Sequence, residues 1–272
     1  MGEMRLAGRT AVVTGAGSGI GRALAGVLAA RGCHLALVDR DAEGLEATAA
    51  PLRGGSRRVT TYLLDVSDGD AVAALPAAVR AAHGGADLLF NNAGVGVGGT
   101  FEQVSAEDFD WLLAINFHAV VRLTRAFLPL LKASDDARLV NISSVFGLAA
   151  PAGQAAYAAA KFAVRGFTEA LRHEYEGTAL GVTVVHPGGV ATRIADRARV
   201  SAGVDPAEAE RRRAEANRHL RMPPTRAAEI IVRGVERRRG RVLVGVDALA
   251  LSWLVRLLPE RYWTVLKRRV AY

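Results

Sequence analysis

The sequence predicts an α/β fold in which a doubly wound parallel sheet of about seven strands carries helices on both faces. Short runs rich in Val, Leu and Ile alternate along the chain with longer alanine-rich segments. Such alternation produces right-handed crossovers between parallel strands. Most of the apolar runs lack polar alternation, which is typical of strands buried on both faces. Because no break in composition and no internal repeat divides the 272 residues, we expect one domain over 1–272.

The elements follow in the order that this fold requires. The apolar runs predict strands near 10–14, 34–38, 59–64, 87–90, 138–143, 182–186 and 241–245. The alanine-rich segments, since alanine favours helix, predict helices at roughly 19–31, 42–53, 68–83, 106–133, 155–176 and 225–238. The stretch 193–224 is long, charged and bounded by proline, so we expect a mobile substrate-loop insertion there. Residues 246–272 form an apolar and basic C-terminal tail.

Composition excludes several classes of protein. Half of the residues are hydrophobic and 23% are charged, so the chain can bury a core and is not disordered. The single cysteine, Cys33, excludes an intramolecular disulfide and fits a reducing compartment. The first ten residues lack the apolar stretch of a secretory signal, so we expect a cytoplasmic location. The six histidines are scattered, and we predict no metal site.

The net charge of +8 is unevenly distributed. Residues 193–272 carry a balance of +10, whereas residues 1–192 carry −2. This asymmetry argues against nucleic-acid binding by the body of the protein. It makes the C-terminal third a candidate surface for an acidic partner.

A glycine-rich turn, TGAGSGIG at 14–21, directly follows the first predicted strand and opens the first helix. The spacing of Gly15, Gly19 and Gly21 lets backbone approach a pyrophosphate and directs a helix N-terminus at its charge. Asp39 ends the second strand about twenty residues later, where an acid would bind a ribose 2′-hydroxyl. No Gly-Lys-Ser/Thr follows the turn, which disfavours a P-loop.

The charge at the end of the second strand favours NAD over NADP. Asp39 would repel a 2′-phosphate, and Ser18 and Ile20 bring no cation to the glycine-rich turn. Arg40 follows the acid directly and could bind the phosphate instead. NADP therefore stays open as the less favoured cofactor.

The ends of the third and fourth strands carry further polar residues. Asp65, followed by Val66, ends the third strand, where a carboxylate could accept a hydrogen bond from the adenine amino group. The fourth strand ends in NNAG, which suits a loop that binds neighbouring strands and leaves room for a cofactor. Its candidate contact residues are Asn92, Ala93 and Gly94.

Taken together, these motifs resemble the short-chain dehydrogenase/reductase family over nearly the whole chain. The resemblance rests on TGAGSGIG, Asp65 and NNAG, and it continues through Asn116, NISSVFG (141–147), YAAAK (157–161) and HPGGVAT (186–192). Each motif is moderately specific, but their order and spacing together are very specific. The resemblance implies a three-layer Rossmann fold and an NAD(P)-dependent oxidoreductase.

Tyr157 and Lys161 are four residues apart in an alanine-rich helix, so their side chains lie on one face. By the family resemblance this pair is catalytic, with Tyr157 as general acid/base. A phenol with a pKa of about 10 is a poor base at neutral pH. We expect the Lys161 ammonium and the oxidised nicotinamide to bring that pKa toward the working range. Lys161 would also bind the nicotinamide ribose.

The resemblance assigns two further catalytic residues. Ser144, thirteen residues before Tyr157, would hold the substrate oxygen and stabilise the charge that develops there. Asn116 would interrupt the backbone hydrogen bonds of a long helix and hold a water molecule between Lys161 and solvent. Ser143 should face the opposite side from Ser144, because side chains alternate along a strand.

The resemblance also implies the remaining contacts. Pro187 and Gly188 would form the turn beneath the nicotinamide, and Val190 and Thr192 would reach its carboxamide. The substrate pocket would be lined by mostly apolar residues, which favours a lipophilic secondary alcohol or ketone over a sugar. These are Val95, Val97, Phe146, Leu148, Gln154, Ile194 and Met222.

Three functions are compatible with this pattern. The first is an NAD(P)-dependent dehydrogenase or ketoreductase for a lipophilic secondary alcohol, and the second is an NADPH-dependent reductase of a carrier- or coenzyme A-bound 3-ketoacyl group. The third is a non-catalytic nucleotide-binding scaffold, which would not need Tyr157 and Lys161. We expect a homodimer or homotetramer and no nucleic-acid partner. The tail would pack on a neighbouring subunit or make peripheral membrane contact. It contains three aromatic residues followed by three cations, namely Trp253, Tyr262, Trp263, Lys267, Arg268 and Arg269.

Overall fold

The computed structural model describes residues 2–267. Seven parallel strands form one sheet in the order β3-β2-β1-β4-β6-β7-β9. Their bounds are β1 Thr10–Thr14, β2 His34–Asp39, β3 Val59–Leu63, β4 Leu88–Asn91, β6 Ala137–Ile142, β7 Leu180–Pro187 and β9 Arg241–Val244. Two short strands, β5 Val97–Gly98 and β8 Arg199–Val200, pair outside this sheet. The order reverses between β1 and β4, so a crevice opens there at the carboxyl ends of the strands.

Helices cover both faces of the sheet. Six of them are α1 Gly19–Ala30, α2 Ala42–Ala49, α3 Gly69–His83, α5 Ala119–Ala133, α6 Ala155–Glu174 and α8 Pro224–Glu236. Helices α1, α2 and α8 share one hydrophobic core with the sheet, and α3, α5 and α6 share a second core on the opposite face. The parallel sheet with helices on both faces confirms the fold class that the sequence predicts.

The predicted helix 106–133 is divided in the structure. Helix α4 (Ala106–Leu113) is joined to α5 by a π-helical turn, Ala114–His118. Within residues 2–267 this continuous helical run is long and apolar enough to span a membrane. Its buried side chains, such as those of Leu123 and Phe127, pack in the core on the sheet. The run is therefore a core helix.

The insertion 193–224, expected as a mobile loop, contains regular structure, and its charged run at 210–221 lies mostly in an exposed helix, as that run predicts. It supplies β8 and helix α7, Pro206–His219. No residue of α7 is buried, and three of its four arginines pair with glutamates on the same helix, in Arg212–Glu208, Arg213–Glu210 and Arg218–Glu215. Those arginines are therefore compensated within the helix.

The C-terminal tail folds onto the edge of the sheet. Helices α9 (Val246–Leu257) and α10 (Tyr262–Leu266) follow β9, and α9 packs beside that strand. The Arg241 guanidinium on β9 donates to the hydroxyl of Ser252 on α9 at 3.1 Å. Arg268 and Arg269, named in the tail prediction, lie outside the described residues.

Candidate active site

The glycine-rich turn after β1 is built at positions where side chains do not fit. Gly15 and Gly19 have left-handed backbone with φ of +67° and +52°. A Cβ atom on Gly21 would lie 2.0 Å from the carbonyl oxygen of Gly15. Ser18 precedes α1 with extended backbone and makes no side-chain cap, which leaves the first N–H groups of α1 free to bind an anion. Ile20 packs against the core.

The NNAG loop after β4 is held against this turn. The Thr14 hydroxyl accepts hydrogen bonds from the backbone N–H groups of Asn92 and Ala93 at 3.0 and 3.1 Å. The Asn92 amide donates to the carbonyl oxygen of Thr14 at 2.9 Å. A Cβ atom on Gly15 would lie 2.8 Å from Cα of Ala93. The two loops therefore form one closely packed backbone cradle.

Buried amides connect the strands beneath the cradle to helix α6. The Asn91 amide on β4 donates to Oδ1 of Asn141 on β6 at 2.8 Å. The Asn141 amide in turn donates to the Thr168 hydroxyl on α6 at 2.9 Å. Because buried amides lose free energy when unpaired, this chain fixes the register of α6 on the sheet.

Helix α6 brings Tyr157 and Lys161 together at the carboxyl edge of the sheet. The Lys161 Nζ atom lies 5.5 Å from the centroid of the Tyr157 ring and donates to the carbonyl oxygen of Ile142 at 3.1 Å. Lys161 is buried, with 4% of its surface exposed. A Cβ atom on Gly94 would lie 3.6 Å from Nζ, so the NNAG loop borders the ammonium.

Burial controls the pKa values of this pair. It raises the pKa of Tyr157 to about 12, and a hydrogen bond with Ser144 opposes that rise. Burial also lowers the pKa of Lys161 to about 8. In the free protein the pKa of the phenol therefore lies above the working range. The expectation from the sequence combines Lys161 with the charge of an oxidised nicotinamide, and it stays a prediction.

Two neighbouring serines contact α6 in different ways. The Ser144 hydroxyl accepts from the backbone N–H of Phe146 at 3.1 Å, and its interaction with the Tyr157 hydroxyl opposes the rise in the pKa of Tyr157. The Ser143 hydroxyl donates to the backbone carbonyl oxygen of Lys161 at 2.8 Å. Both residues follow the end of β6, so the alternation of side chains along a strand does not apply to them. That alternation is the basis for expecting Ser143 and Ser144 to face opposite sides. Ser143 anchors the helix that carries the pair.

His186 supports Ser144 from below. Its Nδ1 atom lies 2.9 Å from the carbonyl oxygen of Ser144, and the side chain is fully buried. Because a carbonyl oxygen only accepts, Nδ1 must carry the hydrogen. Burial lowers the pKa of His186 to about 4, so the ring is neutral at pH 7. His186 therefore fixes the backbone position of Ser144 without adding charge.

Asn116 lies in the π-helical turn between α4 and α5 and is fully buried. Its Oδ1 accepts from the backbone N–H of Val95 at 2.8 Å, and its Nδ2 donates to the carbonyl oxygen of Val95 at 2.9 Å. The interruption of the helix at Asn116 agrees with the sequence prediction. In the described chain the amide holds the segment after NNAG.

Asp39, at the end of β2, is joined to the glycine-rich turn. One carboxylate oxygen accepts from the backbone N–H of Gly17 at 2.7 Å, and the other accepts from that of Asp41 at 2.9 Å. The residue is partly exposed. These bonds fix the carboxylate at the place where the sequence predicts a ribose-binding acid.

Arg40 and Asp65 contact each other across the same edge, 3.5 Å apart. Burial opposes ionisation of Asp65, but hydrogen bonds from Ser67 and the charge of Arg40 hold its pKa below the usual value. The Val66 side chain is buried in the core. Arg40 is thus paired with a carboxylate in the structure.

Arg22 is a cation at the glycine-rich turn that the sequence analysis missed. Its guanidinium donates to the carbonyl oxygens of Gly17 and Gly44 at 2.5 and 3.3 Å, and to the Thr48 hydroxyl at 3.0 Å. Arg22 therefore brings to the turn a positive charge that Ser18 and Ile20 do not supply. The signal in the sequence is an arginine on α1 directly after Gly21.

The turn after β7 reaches back to the glycine-rich turn. Pro187 ends β7, and the backbone N–H of Gly188 donates to the carbonyl oxygen of Val244 at 2.9 Å. Val190 is buried. The Thr192 methyl group would lie 3.0 Å from a Cβ atom on Gly19, so the two ends of the groove are adjacent.

Asp247, at the start of α9, supports this turn from the C-terminal tail. Its Oδ2 atom accepts from the backbone N–H of Gly189 at 2.7 Å. A Cβ atom on Gly188 would lie 2.1 Å from the same carboxylate oxygen. The Tyr262 hydroxyl on α10 accepts from the backbone N–H of Ala150 at 3.3 Å. The tail therefore contacts the turn after β7 and the loop before α6.

Asp247→Ala is expected to weaken dinucleotide binding about three- to tenfold. The variant loses the charged acceptor that orders the turn after β7, and the effect is moderate because this hydrogen bond is exposed to solvent. Asp247→Asn keeps an oxygen at the same place and should bind nearly as well as the natural protein. Titration calorimetry with NAD measures both affinities, and thermal unfolding checks that both variants fold. Equal affinities for the alanine variant and the natural protein would contradict a positioning role for Asp247.

The residues proposed for the substrate side divide into two groups. Phe146 lies edge-on to Tyr157 with ring centroids 6.0 Å apart. The partly exposed members are Val95, Phe146, Gln154 and Ile194. The more buried members are Val97 and Leu148, and Met222 packs against the core beside Gly245. Phe146 is therefore the apolar side chain that the structure places directly against the candidate catalytic group.

These observations fit a bound dinucleotide. The cradle at Gly15 and Gly21 excludes side chains where a pyrophosphate needs backbone donors. The buried Lys161 ammonium has three donors, and among the described residues it uses one on the carbonyl oxygen of Ile142. Asp39 presents a carboxylate at the end of β2. Groups that could bind the pyrophosphate and both riboses of a dinucleotide thus lie along one edge of the sheet.

Comparison with known proteins gives matches over most of the chain. The family model for short chain dehydrogenase matches residues 9–202. SadH of Mycobacterium tuberculosis, described as an oxidoreductase, is 43% identical over 268 residues, which cover 97% of this chain and 96% of SadH. A short-chain dehydrogenase/reductase from Burkholderia phymatum, solved with NAD, is 34% identical with a TM-score of 0.86, covering 94% and 96% of the two chains. A short-chain dehydrogenase from Burkholderia cenocepacia, solved with NADP, is 30% identical with a TM-score of 0.77, covering 90% and 100%.

Proposed function

Since the chain belongs to the short-chain dehydrogenase/reductase family and is an oxidoreductase that binds a nicotinamide dinucleotide, we propose that it interconverts a lipophilic secondary alcohol and its ketone, with NAD preferred. The observation that carries the proposal is the placement of the Tyr157 hydroxyl. Tyr157 interacts with the Ser144 side chain, lies one helical turn from Lys161 and has the Phe146 ring edge-on to its own.

The residues support a simple proton path. Tyr157, as phenolate, takes the hydroxyl proton of the alcohol while the C–O bond becomes a carbonyl, and as phenol it returns a proton in ketone reduction. Ser144 donates a hydrogen bond to the substrate oxygen and stabilises its developing charge. Lys161 favours the phenolate by its charge and binds the ribose hydroxyls. The bound dinucleotide supplies the acceptor or donor of the hydride at the carbinol carbon.

Supporting groups keep these three side chains in place. His186 fixes the carbonyl group of Ser144, and Ser143 fixes the backbone of Lys161. Asn116 holds the Val95 segment, which lies near the cofactor cradle. Preorganisation of this kind lowers the reorganisation that a reaction requires.

A lipophilic substrate is supported by the apolar residues proposed for the pocket, of which Phe146 lies against Tyr157. Phe146 and Leu148 precede it, Val95 follows NNAG, and Ile194 follows the turn after β7. Pockets lined mainly by apolar groups with few polar ones favour apolar ligands. Gln154 is the polar group proposed to orient the substrate.

The preference for NAD is supported by Asp39. Its carboxylate is fixed by the backbone N–H groups of Gly17 and Asp41, so it cannot easily turn away from a 2′-phosphate. Arg40 faces Asp65 at 3.5 Å. The Burkholderia structures contain NAD in one case and NADP in the other, so family membership alone does not choose between the cofactors.

Turnover of a panel of hydroxysteroids, retinoids and medium-chain secondary alcohols, followed at the reduced-nicotinamide absorbance, tests the proposal. We expect activity with at least one lipophilic alcohol and a kcat/KM for NAD at least about tenfold above that for NADP, equivalent to ~1.4 kcal/mol. Asp39→Asn should reduce this ratio, because it removes the charge and keeps one acceptor oxygen.

The same panel includes a polyol and a 3-ketoacyl thioester as comparisons. Turnover of the polyol alone would contradict the lipophilic assignment. Strong preference for NADPH together with reduction of the thioester would instead support the 3-ketoacyl reductase. Absence of any hydride transfer with intact dinucleotide binding would support the non-catalytic scaffold.

A further inference from the structure

The outer face of helix α9 is apolar and exposed. Val246, Leu249, Trp253 and Leu257 recur at intervals of three and four residues, so they form one stripe along the helix. Trp253 is 55% exposed and Leu257 is 70% exposed. The opposite face of α9 packs on the protein through buried Ala248 and through Ser252. The stripe is therefore an apolar surface on a helix that is already anchored.

Cations border this stripe. Arg256, Arg261 and Lys267 are exposed on α9, just before α10 and just after it. Over 246–272 the sequence contains five Lys and Arg against two Asp and Glu. Burial lowers the pKa of Arg241, and the neighbouring charges of Arg165, Arg172 and Arg256 lower it further, against the single opposing charge of Glu169. Cations therefore outnumber carboxylates around Arg241.

A small cavity lies between the cations and the stripe. Its volume is about 190 Å³. It is lined by Arg241, Leu243, Leu249, Ser252, Trp253 and Arg256. Within residues 2–267 the Arg241 Nε atom is buried and has no hydrogen-bond partner. A cavity with two guanidinium groups, a hydroxyl and an indole suits an anionic headgroup that is attached to an apolar chain.

We propose that helix α9 docks this protein on an anionic phospholipid surface, with a lipid phosphate in the Arg241–Arg256 cavity and the Val246–Leu257 stripe in the acyl boundary. An anchored helix with an apolar face and flanking cations is the arrangement that binds at lipid interfaces. A second copy of the chain is a poorer occupant, because an isologous contact would bring two positive faces together. The proposal does not depend on which alcohol is the substrate.

Co-sedimentation of the full-length protein with vesicles tests the proposal. Vesicles of phosphatidylcholine and phosphatidylglycerol in equal parts should bind the protein at least about tenfold better than phosphatidylcholine alone at 50 mM NaCl, and 500 mM NaCl should remove this difference. Ten millimolar inorganic phosphate should not displace the protein, because the stripe also contributes. Displacement by phosphate, or equal binding to both vesicles, would overturn the proposal.

Substitutions distinguish vesicle binding through the stripe from nonspecific vesicle binding by exposed apolar residues. The double variant Trp253→Gln/Leu257→Gln should bind anionic vesicles at least about tenfold less, and Arg256→Gln about fivefold less. Leu63→Gln is the matched control, since Leu63 is 67% exposed on β3 at the opposite edge of the sheet. It should bind as the natural protein does.

Two further results would refute the membrane surface. One is loss of vesicle binding in Leu63→Gln to the same extent as in the double variant. The other is absence of vesicle binding by the natural protein, together with a fall in molecular mass of the double variant in analytical ultracentrifugation, which would assign the stripe to a second copy of the chain. None of the substituted residues lies at the proposed dinucleotide site, so each folded variant should keep the dinucleotide affinity of the natural protein. Measuring that affinity checks that each variant is folded.

Discussion

Tyr157→Phe is expected to reduce turnover by about 10²- to 10⁴-fold, the range for removal of a general acid/base. The substitution removes one oxygen atom and keeps the aromatic ring that packs against Phe146. The fold and the cofactor cradle at Gly15 and Gly21 do not involve that oxygen. The affinity for NAD should therefore stay within about twofold of the natural value, measured by titration calorimetry beside steady-state kinetics.

The pH dependence gives a second readout of the same group. Burial raises the pKa of Tyr157 to about 12 in the free protein. Alcohol oxidation requires the phenolate, so with saturating NAD its kcat/KM should rise about tenfold per pH unit below the pKa of Tyr157 in the complex. The positive charge of the bound nicotinamide should place that pKa below 12. Tyr157→Phe should abolish this dependence in its residual activity.

Tyr175→Phe is the matched control for this prediction. Tyr175 follows the last residue of the same helix, α6, and packs in the core beneath the sheet. Its substitution should leave both turnover and the pH profile unchanged. Natural turnover in Tyr157→Phe, or a flat profile between pH 6 and 10 in the natural protein, would contradict the role of Tyr157.

The sequence predicts those parts of the site that are local in the chain. The glycine-rich turn lies within eight residues, and Tyr157 and Lys161 lie one helical turn apart. Their placement follows from strand–helix order and from helix periodicity. The same reasoning predicts the interruption of the helix at Asn116, which the structure contains as a π-helical turn.

Contacts between distant residues could not be predicted in this way. Asp247 binds the backbone N–H of Gly189 across 58 positions, and His186 binds Ser144 across 42. Such contacts depend on which strands become neighbours in the sheet. The pattern of one sequence predicts the strands, but it does not predict which distant side chains come into contact.

The pKa of Tyr157 shows a second limit of sequence reasoning. Spacing correctly places an ammonium near the phenol, but the sign of the shift depends on how deeply both groups are buried. In the structure desolvation raises the pKa of Tyr157 and lowers that of Lys161. Burial is a property of the packed α6 and its neighbours, so spacing alone does not give the size of the shift. With a pKa of about 12, the phenol of Tyr157 is protonated at neutral pH in the free protein.

Gly21→Ala is expected to lower the affinity for NAD by about ten- to a hundredfold, or ~1.4 to 2.7 kcal/mol. The new Cβ atom would lie 2.0 Å from the carbonyl oxygen of Gly15 and 2.6 Å from the Asn92 amide nitrogen. Since the first contact is with backbone, the glycine-rich turn has to shift, and the N–H groups that would bind the pyrophosphate shift with it. Overpacking of this kind also costs about 1–3 kcal/mol of stability, which thermal unfolding measures.

Gly26→Ala on the same helix separates the effect of the turn from that of helix composition. A Cβ atom on Gly26 would meet no atom within 4 Å. Alanine is preferred to glycine in a helix by about 0.8–1.0 kcal/mol, so this variant should be at least as stable as the natural protein and should bind NAD equally well. A comparable loss of NAD affinity in both variants would mean that α1 as a whole, rather than the contact between Gly21 and Gly15, determines binding. Because Gly21 and Gly26 lie five residues apart on one helix, unequal losses would point to the contact that a Cβ atom on Gly21 makes with Gly15.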